Sequence, residues 1–360
     1  LAPDEFAAWL RLLETPGLGR EGARRLLAAF GSPDAVLSAP TPALREHIGP
    51  ARIQALQTEP PEFDERLACA RQWLAGGADR HVVTLGDTAY PPLLLETADP
   101  PLLMYVHGRL DLLRAVSLAV VGSRNTSAQG ADNARALGRQ LSLDGLTVVS
   151  GLALGIDGAA HEGALQGPAS TIAVVGTGLE RVYPSAHLEL AHRIAESGCL
   201  VSEFAPGTPV LAPNFPLRNR IIAGLSLGTL VVEATLRSGS LITARLAAEA
   251  GREVFAIPGS IHAPQSKGCH ALIKQGAKLV ESAADIVEEL RGIRPVVQAA
   301  PAAATHPLLA ALGNDPVTLD ALLARTGWRA ADLSAQLLDL ELDGRVARLP
   351  GGLYQRRHKG

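Results

Sequence analysis

Cysteine is scarce. The 360 residues hold three, Cys69, Cys199 and Cys269, far apart and without CxxC spacing. That argues against a disulfide framework and a cysteine-based zinc site, and it suits a reducing compartment. Aromatic residues make up only 4% of the chain, so any base-stacking would rest on very few rings. Neither sign of charge dominates, with 33 Lys+Arg against 36 Asp+Glu and a net charge of −3. A globally basic protein is therefore excluded, although one local basic patch is not. No run of 18 apolar, uncharged residues occurs, so no membrane span is expected. The opening segment LAPDEFAAWLRLLETPG carries acids and lacks the layout of a signal peptide. The expectation is a cytoplasmic protein.

Several motifs of chemistry are also missing. The P-loop pattern GxxxxGK[ST] is absent, which argues against ATP hydrolysis by that route. A dinucleotide fingerprint begins at Gly176-Thr177-Gly178, but Arg181 stands where glycine or alanine belongs. There is no HExxH, and no residue set assembles a convincing catalytic or metal site. Asp157 and His161 lie four apart and could form an acid–base pair or hold a metal. The simpler reading is a helix-end carboxylate beside a hydrogen-bonded histidine. His187 and His192 read as surface residues. The sequence thus implies no cofactor, no metal and no enzyme.

What is present suits folded domains. Hydrophobic residues are 47% and charged residues 19%, enough for real cores, and the length suits two or three domains. Residues 1–80 read as short helices, with Phe6, Trp9, Leu10, Leu12 and Leu13 at helical spacing. The turns Pro16-Gly17-Leu18-Gly19 and Ile48-Gly49-Pro50 give this part a helix–hairpin–helix look, SAM-like in size. Such glycines let backbone N–H groups approach a phosphate, but a plain helical packing domain fits equally well. Residues 81–116 read as a proline-rich lead-in, with one strand at HVVTLGD.

From residue 117 the pattern changes. SLAVVG, LTVVSG, STIAVVGTG, CLVSEF, GTLVVEA and REVFAIPG are short apolar runs, most of them followed by a turn and a helical segment. Continuous apolar strands alternating with helices specify a parallel sheet covered on both faces. The expectation is an α/β, doubly wound Rossmann-like domain over 81–290. Residues 291–306 are an Ala/Pro linker. Residues 307–360 read as three helices and a hairpin around Pro350-Gly351-Gly352, a winged-helix layout. Its third helix, 329–343, carries one Arg against Asp332, Asp339, Glu341 and Asp343. That charge opposes a phosphate backbone and favours a protein-binding or structural role.

In open α/β sheets ligands bind at the carboxyl ends of strands, at the switch point. Four Gly/Ser-rich turns fall there: VVGSRNTS, VVSGLALGID, VVGTGLERVYP and VEATLRSGSLITA. Gly122-Ser123-Arg124 adds a guanidinium at a strand end, and Ser238-Gly239-Ser240 offers hydroxyls and N–H groups before a helix. Arg218 and Arg220 flank Asn219 in NFPLRNRII, with Phe215 nearby. Four such turns and three arginines on one sheet edge point to an anion. Read singly, each turn is also an ordinary tight turn or helix cap.

These residues are recognisable as a set. VVGSR (120–124), SGLALGID with His161, TIAVVGTGLERVYP (171–184), SEF (202–204), FPLRNRIIAGLS (215–226), SGSLITA (238–244), VFAIPG (254–259) and KGCHALIKQGAKLV (267–280) resemble the DNA processing protein A family (DprA, also called Smf). The resemblance is close over about 90–290, and the flanking segments resemble members that carry both extra domains. It implies a non-catalytic, single-stranded DNA-binding protein of natural transformation and recombination. Such a protein protects incoming strands, helps load the RecA recombinase and forms a homodimer. Carried over by position, Gly122, Ser123 and Arg124 hold phosphate, with Gly176 and Gly178 in the same crevice. Phe215, Arg218, Asn219 and Arg220 form a basic wall in which Phe215 is the stacking ring. Ser238, Gly239 and Ser240 close the pocket. His270 and Leu279 fall in the stretch that matches the dimer interface, although both also read as ordinary core. No lysine stands between residues 206 and 214 to assist Arg218.

Two other readings compete. Gly228-Thr229 with Glu233 is similar to part of the PGGxGTxxE signature of nucleotide phosphoribohydrolases of the lysine-decarboxylase-like Rossmann group. Here the PGG is missing and the acid falls one place late. The third reading is a duplex-binding repair protein that uses the N-terminal helices.

Overall fold

In the computed structural model of the chain, the apolar runs form the strands of one nine-stranded sheet. The structure describes residues 2–293 and, beyond them, 308, 312, 317–319, 322, 328, 330–342, 346–349 and 353–356. The strands are β1 (Arg80–Thr84), β2 (Leu103–Gly108), β3 (Ser117–Val121), β4 (Thr147–Ser150), β5 (Thr171–Val174), β6 (Cys199–Ser202), β7 (Gly228–Val231), β8 (Glu253–Ala256) and β9 (Lys278–Leu279). Their order is β1-β2-β6-β5-β4-β3-β7-β8-β9. From β6 to β9 all neighbours are parallel. The chain starts at β3, steps outward to β6, then returns to the other side of β3 as β7. The switch point is therefore between β3 and β7, where ligands of such sheets bind.

The lead-in departs from the expected connector. Its second half forms β2, which pairs antiparallel with β1 and with β6, placing Tyr105 opposite Ser202. The prolines fall outside this strand, so none interrupts its ladder. The sheet is consequently mixed at that edge rather than wholly parallel.

Alternation along β3 shows how both faces are covered. Leu118 and Val120 enter one core, with α8 (Ala128–Leu143), α9 (Ile156–Ala164) and α14 (Ala283–Ile293). Ala119 and Val121 enter the other, with α7 (Pro92–Leu95), α11 (Asn214–Leu225), α12 (Ser240–Glu249) and α13 (Lys267–Lys274). Strand side chains alternate faces, and here both faces are apolar. Helices α8 and α9 touch backbone to backbone. A Cβ at Gly138 would meet Ala160 O at 2.5 Å, and one at Gly163 would meet Arg135 O at 2.0 Å.

Six helices precede the sheet: α1 (Pro3–Leu13), α2 (Gly19–Phe30), α3 (Pro33–Ser38), α4 (Thr41–Arg45), α5 (Pro50–Gln57) and α6 (Phe63–Ala75). Gly17 and Gly19, both in the left-handed region, make the turn between α1 and α2. These helices do not own a separate core. Phe6, Trp9, Leu12 and Trp73 belong to one cluster with Leu103, Tyr105, Ala173, Leu200 and, from α10 (Leu188–Ser197), Ile194. The rings of Trp73 and Phe6 meet Tyr105 edge-on, at 5.9 and 6.4 Å between centroids. The boundary at residue 80 thus separates helices from strands without separating two cores.

The chain divides into two compact units, Leu1–Ile293 and Arg294–Gly360. Helix α14 runs to Ile293, three residues into the expected linker; from 294 to 306 that linker lies outside the described residues. In the second unit β10 (Val317–Thr318), β11 (Val346–Leu349) and β12 (Leu353–Arg356) form an antiparallel sheet in the order β10-β12-β11. Helix α15 (Ala330–Leu342) buries Leu333, Leu337 and Leu340 with Val346 and Leu308. Asp339 and Glu341 are exposed on it. The Pro350-Gly351-Gly352 turn and most of the first two expected helices lie outside the described residues.

Among the described residues, no helix is long and apolar enough to cross a membrane. All three cysteines are free thiols, with Cys199 and Cys269 buried. Burial raises both of these thiols, Cys269 to about 11.

Candidate functional site

A cleft of about 470 Å³ opens at the switch point. The turn after β3 forms one wall, α11 the second, and the turn into α12 the third. Gly122 has no room for a side chain. A Cβ there would stand 2.5 Å from Ile156 Cγ1 and 2.9 Å from Glu233 O. Ser123 N donates to Glu233 O at 2.7 Å, which ties the β3 turn to the end of β7. The Ser123 hydroxyl donates to Asn125 O and accepts from Asn125 N, so its geometry is fixed locally. Arg124 follows, exposed, with its Cζ 5.7 Å from the centroid of the Phe215 ring. An arginine over an aromatic face keeps a solvated charge in a defined place.

Opposite, Ser238 and Ser240 share a hydrogen bond of 2.7 Å, and Ser240 N approaches Ser238 Oγ at 3.4 Å. Leu241 N and Ile242 N close the first turn of α12 on Ser238 O and Gly239 O. The N–H end of a ten-residue helix therefore faces the same cleft as Arg124. Helix N-termini carry partial positive charge, so the cleft favours an anion.

The RNR segment does not form one basic wall. Arg218 lines the cleft floor but is only 5% exposed. Its Nη1 donates to the carbonyl oxygens of Gly151 and Val174, and its Nε to Asn219 Oδ1 at 3.1 Å. It braces the ends of β4 and β5 against α11. Burial pushes its pKa down to about 10, and Asp157 opposes that shift, so the guanidinium stays charged at neutral pH. Asn219 lines the cleft beside it. Arg220 lies elsewhere. It pairs with Asp99 at 2.8 Å and with Glu203, in a group that includes Arg20 and Arg24 of α2. Two residues apart on an α-helix means about 200° apart, so Arg218 and Arg220 point to opposite faces. Among the described residues that line the cleft, the free cation is Arg124.

Gly176 and Gly178 also play a different part from phosphate contact. A Cβ at Gly176 would stand 3.2 Å from Phe215 Cδ1, and one at Gly178 would meet Ala205 O at 2.8 Å. They let the Phe215 ring and the loop after β5 lie close to the sheet. Tyr183, which sequence reasoning passed over, stands beside Phe215 with centroids 5.4 Å apart and planes tilted by 45°. Its signal was present in the sequence only as the VYP of the third Gly-rich turn.

Asp157 and His161 follow the simpler reading. Asp157 accepts from Gly151 N at 3.1 Å and from Ala153 N at 3.4 Å. Burial raises its pKa, against the pull of Arg218. His161 Nε2 accepts from Leu152 N at 3.3 Å, while Nδ1 meets Thr171 Oγ1 at 2.7 Å. Thr171 Oγ1 itself donates to Val148 O, so the proton of the neutral imidazole sits on Nδ1. His187 is half-buried and bonds Leu152 O at 3.0 Å, which corrects its reading as a surface residue. Among the described residues no group of three or more His, Cys, Asp or Glu could hold a metal ion.

Glu233, the acid that suggested a hydrolase, is committed to structure. Its carboxylate accepts from Ser127 N at 2.9 Å and Thr126 Oγ1 at 2.8 Å, and also from Ser127 Oγ. It caps α8, and the Cβ-free Gly130 leaves it room.

A second groove, about 690 Å³, lies between α12 and α13 and shares Ser238 and Gly239 with the cleft. Leu241, Ile242, Ala248 and Leu272 line it together with Arg237, Arg245 and Arg252; Arg245 pairs with Glu249 and Arg252 with Glu96, and the Gly-Ser-Arg turn is not part of it. What sets the smaller cleft apart is Arg124 over the Phe215 ring beside the first turn of α12. At the far edge of the sheet, β9 presents Leu279, 49% exposed, and His270 Nε2 lies 3.0 Å from Gly259 O. Leu279 is surface, not core.

Comparison with known proteins gives a consistent result. A family model described as DNA recombination-mediator protein A matches residues 81–291, and one for the DprA winged helix domain matches residues 294–352. Protein Smf of Escherichia coli K12 is 46% identical over 292 residues, covering 78% of each chain. DNA processing protein DprA of Streptococcus pneumoniae is 51% identical over 203 residues, covering 56% of this chain and 72% of that one. An X-ray structure of the S. pneumoniae protein superposes with a TM-score of 0.66 at 39% identity, over 79% of this chain and 97% of that one. A structure of the Helicobacter pylori protein, described for its single-stranded DNA binding mode, gives a TM-score of 0.54 at 28% identity, over 59% and 97%.

Proposed function

We propose a single-stranded DNA-binding role in transformation and recombination for this chain, which belongs to the DNA processing protein A (DprA/Smf) family. The observation that carries the reading is Arg124. It is an exposed guanidinium, without an ion-pair partner among the described residues, held over Phe215 at the mouth of the switch-point cleft and facing the N–H end of α12. Phosphate is held by Arg124, the Gly239 N–H and the hydroxyl pair of Ser238 and Ser240, while Ser123 fixes the turn that carries Arg124. Gly122 gives the backbone close approach, and Asn219 adds a polar side chain. Arg218 contributes charge from below the floor. The H. pylori protein supports the strandedness, since its structure is described for that binding mode. A narrow cleft that joins cation and ring suits a flexible strand with accessible bases better than a stacked duplex.

The protein would work as a phosphate-tracking clamp that protects the strand and delivers it to the RecA recombinase. It acts as a homodimer through the β9 edge, with Leu279 and His270 in the contact. What supports the dimer is an exposed apolar side chain on a short edge strand, a place that folded proteins otherwise blunt or cover. The acidic α15 leaves the winged helix to a protein partner or to a structural role.

Fluorescence anisotropy tests the reading with labelled oligo-dT and its duplex, at two salt concentrations, for wild type and Arg124→Ala. The expected result is tighter single-strand binding that weakens with salt and with the substitution. The salt slope should be about 0.7 per phosphate contacted. Equal binding of duplex, or indifference to Arg124, would remove the cleft from the function.

A further inference from the structure

We infer that Tyr183 is a second base-stacking residue, so that a bound strand passes from Arg124 and Phe215 onto Tyr183. This rests on the single-strand reading above. Phe215 is the ring that the sequence offers, but in the folded protein it is already engaged. It is only partly exposed, Arg124 lies 5.7 Å from its centroid, Gly176 backs its edge, and Tyr183 stands 5.4 Å away. Tyr183 is 46% exposed and is the only aromatic among the large exposed hydrophobic side chains of the described residues. Of the two rings, it therefore has the larger free surface for a nucleobase.

The ring is also held in place by its loop. Ser202 Oγ donates to Thr177 O at 2.6 Å, and Thr177 Oγ1 to Arg181 O at 3.1 Å. Arg181 N donates to Gly178 O at 3.2 Å, His187 N to Pro184 O at 3.0 Å, and Val182 packs on the core beneath. A side chain on a pinned loop has little backbone freedom left to lose when a base settles on it. Arg181, exposed two residues earlier, supplies a cation on the same loop. Arg124, Phe215 and Tyr183 thus make a continuous row of cation, ring and ring. A cationic groove with successive rings is the pattern that tracks single strands without reading sequence.

The test compares wild type, Tyr183→Phe, Tyr183→Leu and Tyr183→Ala on oligo-dT and on an abasic strand of equal length and charge. On oligo-dT, Tyr183→Phe should bind as wild type, while Tyr183→Leu and Tyr183→Ala should each lose on the order of tenfold in affinity. On the abasic strand all four should bind alike, because no base is left to stack. Tyr183→Trp should show its indole fluorescence quenched by oligo-dT and not by the abasic strand. Leucine keeps an apolar neighbour for Phe215, so a loss confined to alanine would reduce Tyr183 to support for that ring and overturn the inference. Equal losses on both strands, or no loss on oligo-dT, would overturn it too. Failure of wild type to bind oligo-dT would instead sink the single-strand reading itself.

Discussion

Arg220 Nε donates to Asp99 Oδ2 at 2.8 Å, on the face of α11 opposite Arg218 and the cleft. The contact joins α11, which carries Phe215, to the proline-rich lead-in. Through Arg20 and Arg24 on the same carboxylate it also joins α2. Arginine's fork suits such shared carboxylates.

Arg220→Ala and Arg124→Ala should therefore fail in different ways. Arg220→Ala should lower stability by roughly 1–3 kcal/mol, between the values for exposed and buried pairs, and leave the salt slope of strand binding unchanged. Arg124→Ala should leave stability within about 0.5 kcal/mol and reduce the slope by about 0.7. Chemical denaturation together with binding at two salt concentrations separates the two. A reduced slope in Arg220→Ala would return that residue to the phosphate path.

Asp99 sets part of the acid limit of the fold. Burial alone would raise its carboxyl, but the hydrogen bonds and charge of Arg220, Arg24 and Arg20 outweigh this and hold it well below the usual range. A depressed carboxylate stabilises the folded state above its unfolded value, about 3.9. That contribution is lost as pH falls below 3.9 towards the lower folded value. Asp99→Asn should be less stable than wild type at pH 7, and the gap should narrow as pH falls through that window. A constant gap down to pH 2 would contradict the assignment.

His161 works in a different window. Burial pushes its pKa down to about 3, helped by the nearby charges of His187 and Arg218. The unfolded chain takes up this proton near pH 6.5 and the folded chain does not. Folding is therefore penalised as pH falls below 6.5, by up to about 1.4 kcal/mol per pH unit, until the folded value is reached. In NMR the His161 ring should stay in one neutral tautomer, with the proton on Nδ1, from pH 8 to pH 4 while the fold persists. Titration near 6.5 would show the ring to be accessible and its bond to Leu152 N to be dispensable.

Leu279→Glu places a charge on the exposed β9 edge without opening a core. Sedimentation should show a dimer for wild type and a monomer for the variant, with melting changed little beyond the loss of dimer linkage. An unchanged dimer would move the interface away from this edge.

Some features were legible because they depend on local pattern. The runs 117–121, 147–150, 171–174, 199–202, 228–231 and 253–256 read as strands because they are mostly apolar and buried; apart from Glu253, their polar residues are buried hydroxyls such as Thr229. Helix α8 was readable over its full length, 128–143, because Ser127 caps it and its apolar spacing is helical. Strand β2 was hidden by what precedes it, since Pro91, Pro92, Pro100 and Pro101 suggest a connector even when the residues after them can pair. Strand β9 was hidden by its length of two residues.

The sequence by itself determined the strand-and-helix alternation, the Gly/Ser turns at the strand ends and the family to which they belong. Each of these is set within a dozen neighbouring residues. Only the tertiary structure decided which arginine is free. Arg124, Arg218 and Arg220 look alike in sequence, yet one is solvated over a ring, one braces buried carbonyls and one is spent on Asp99 and Glu203. The same holds for Tyr183 beside Phe215, for Glu233 at the start of α8, and for the core shared by the N-terminal helices and the sheet. The partners in these contacts come from distant segments. What a charge or a ring can do depends on what the fold places next to it and on how much water it leaves there.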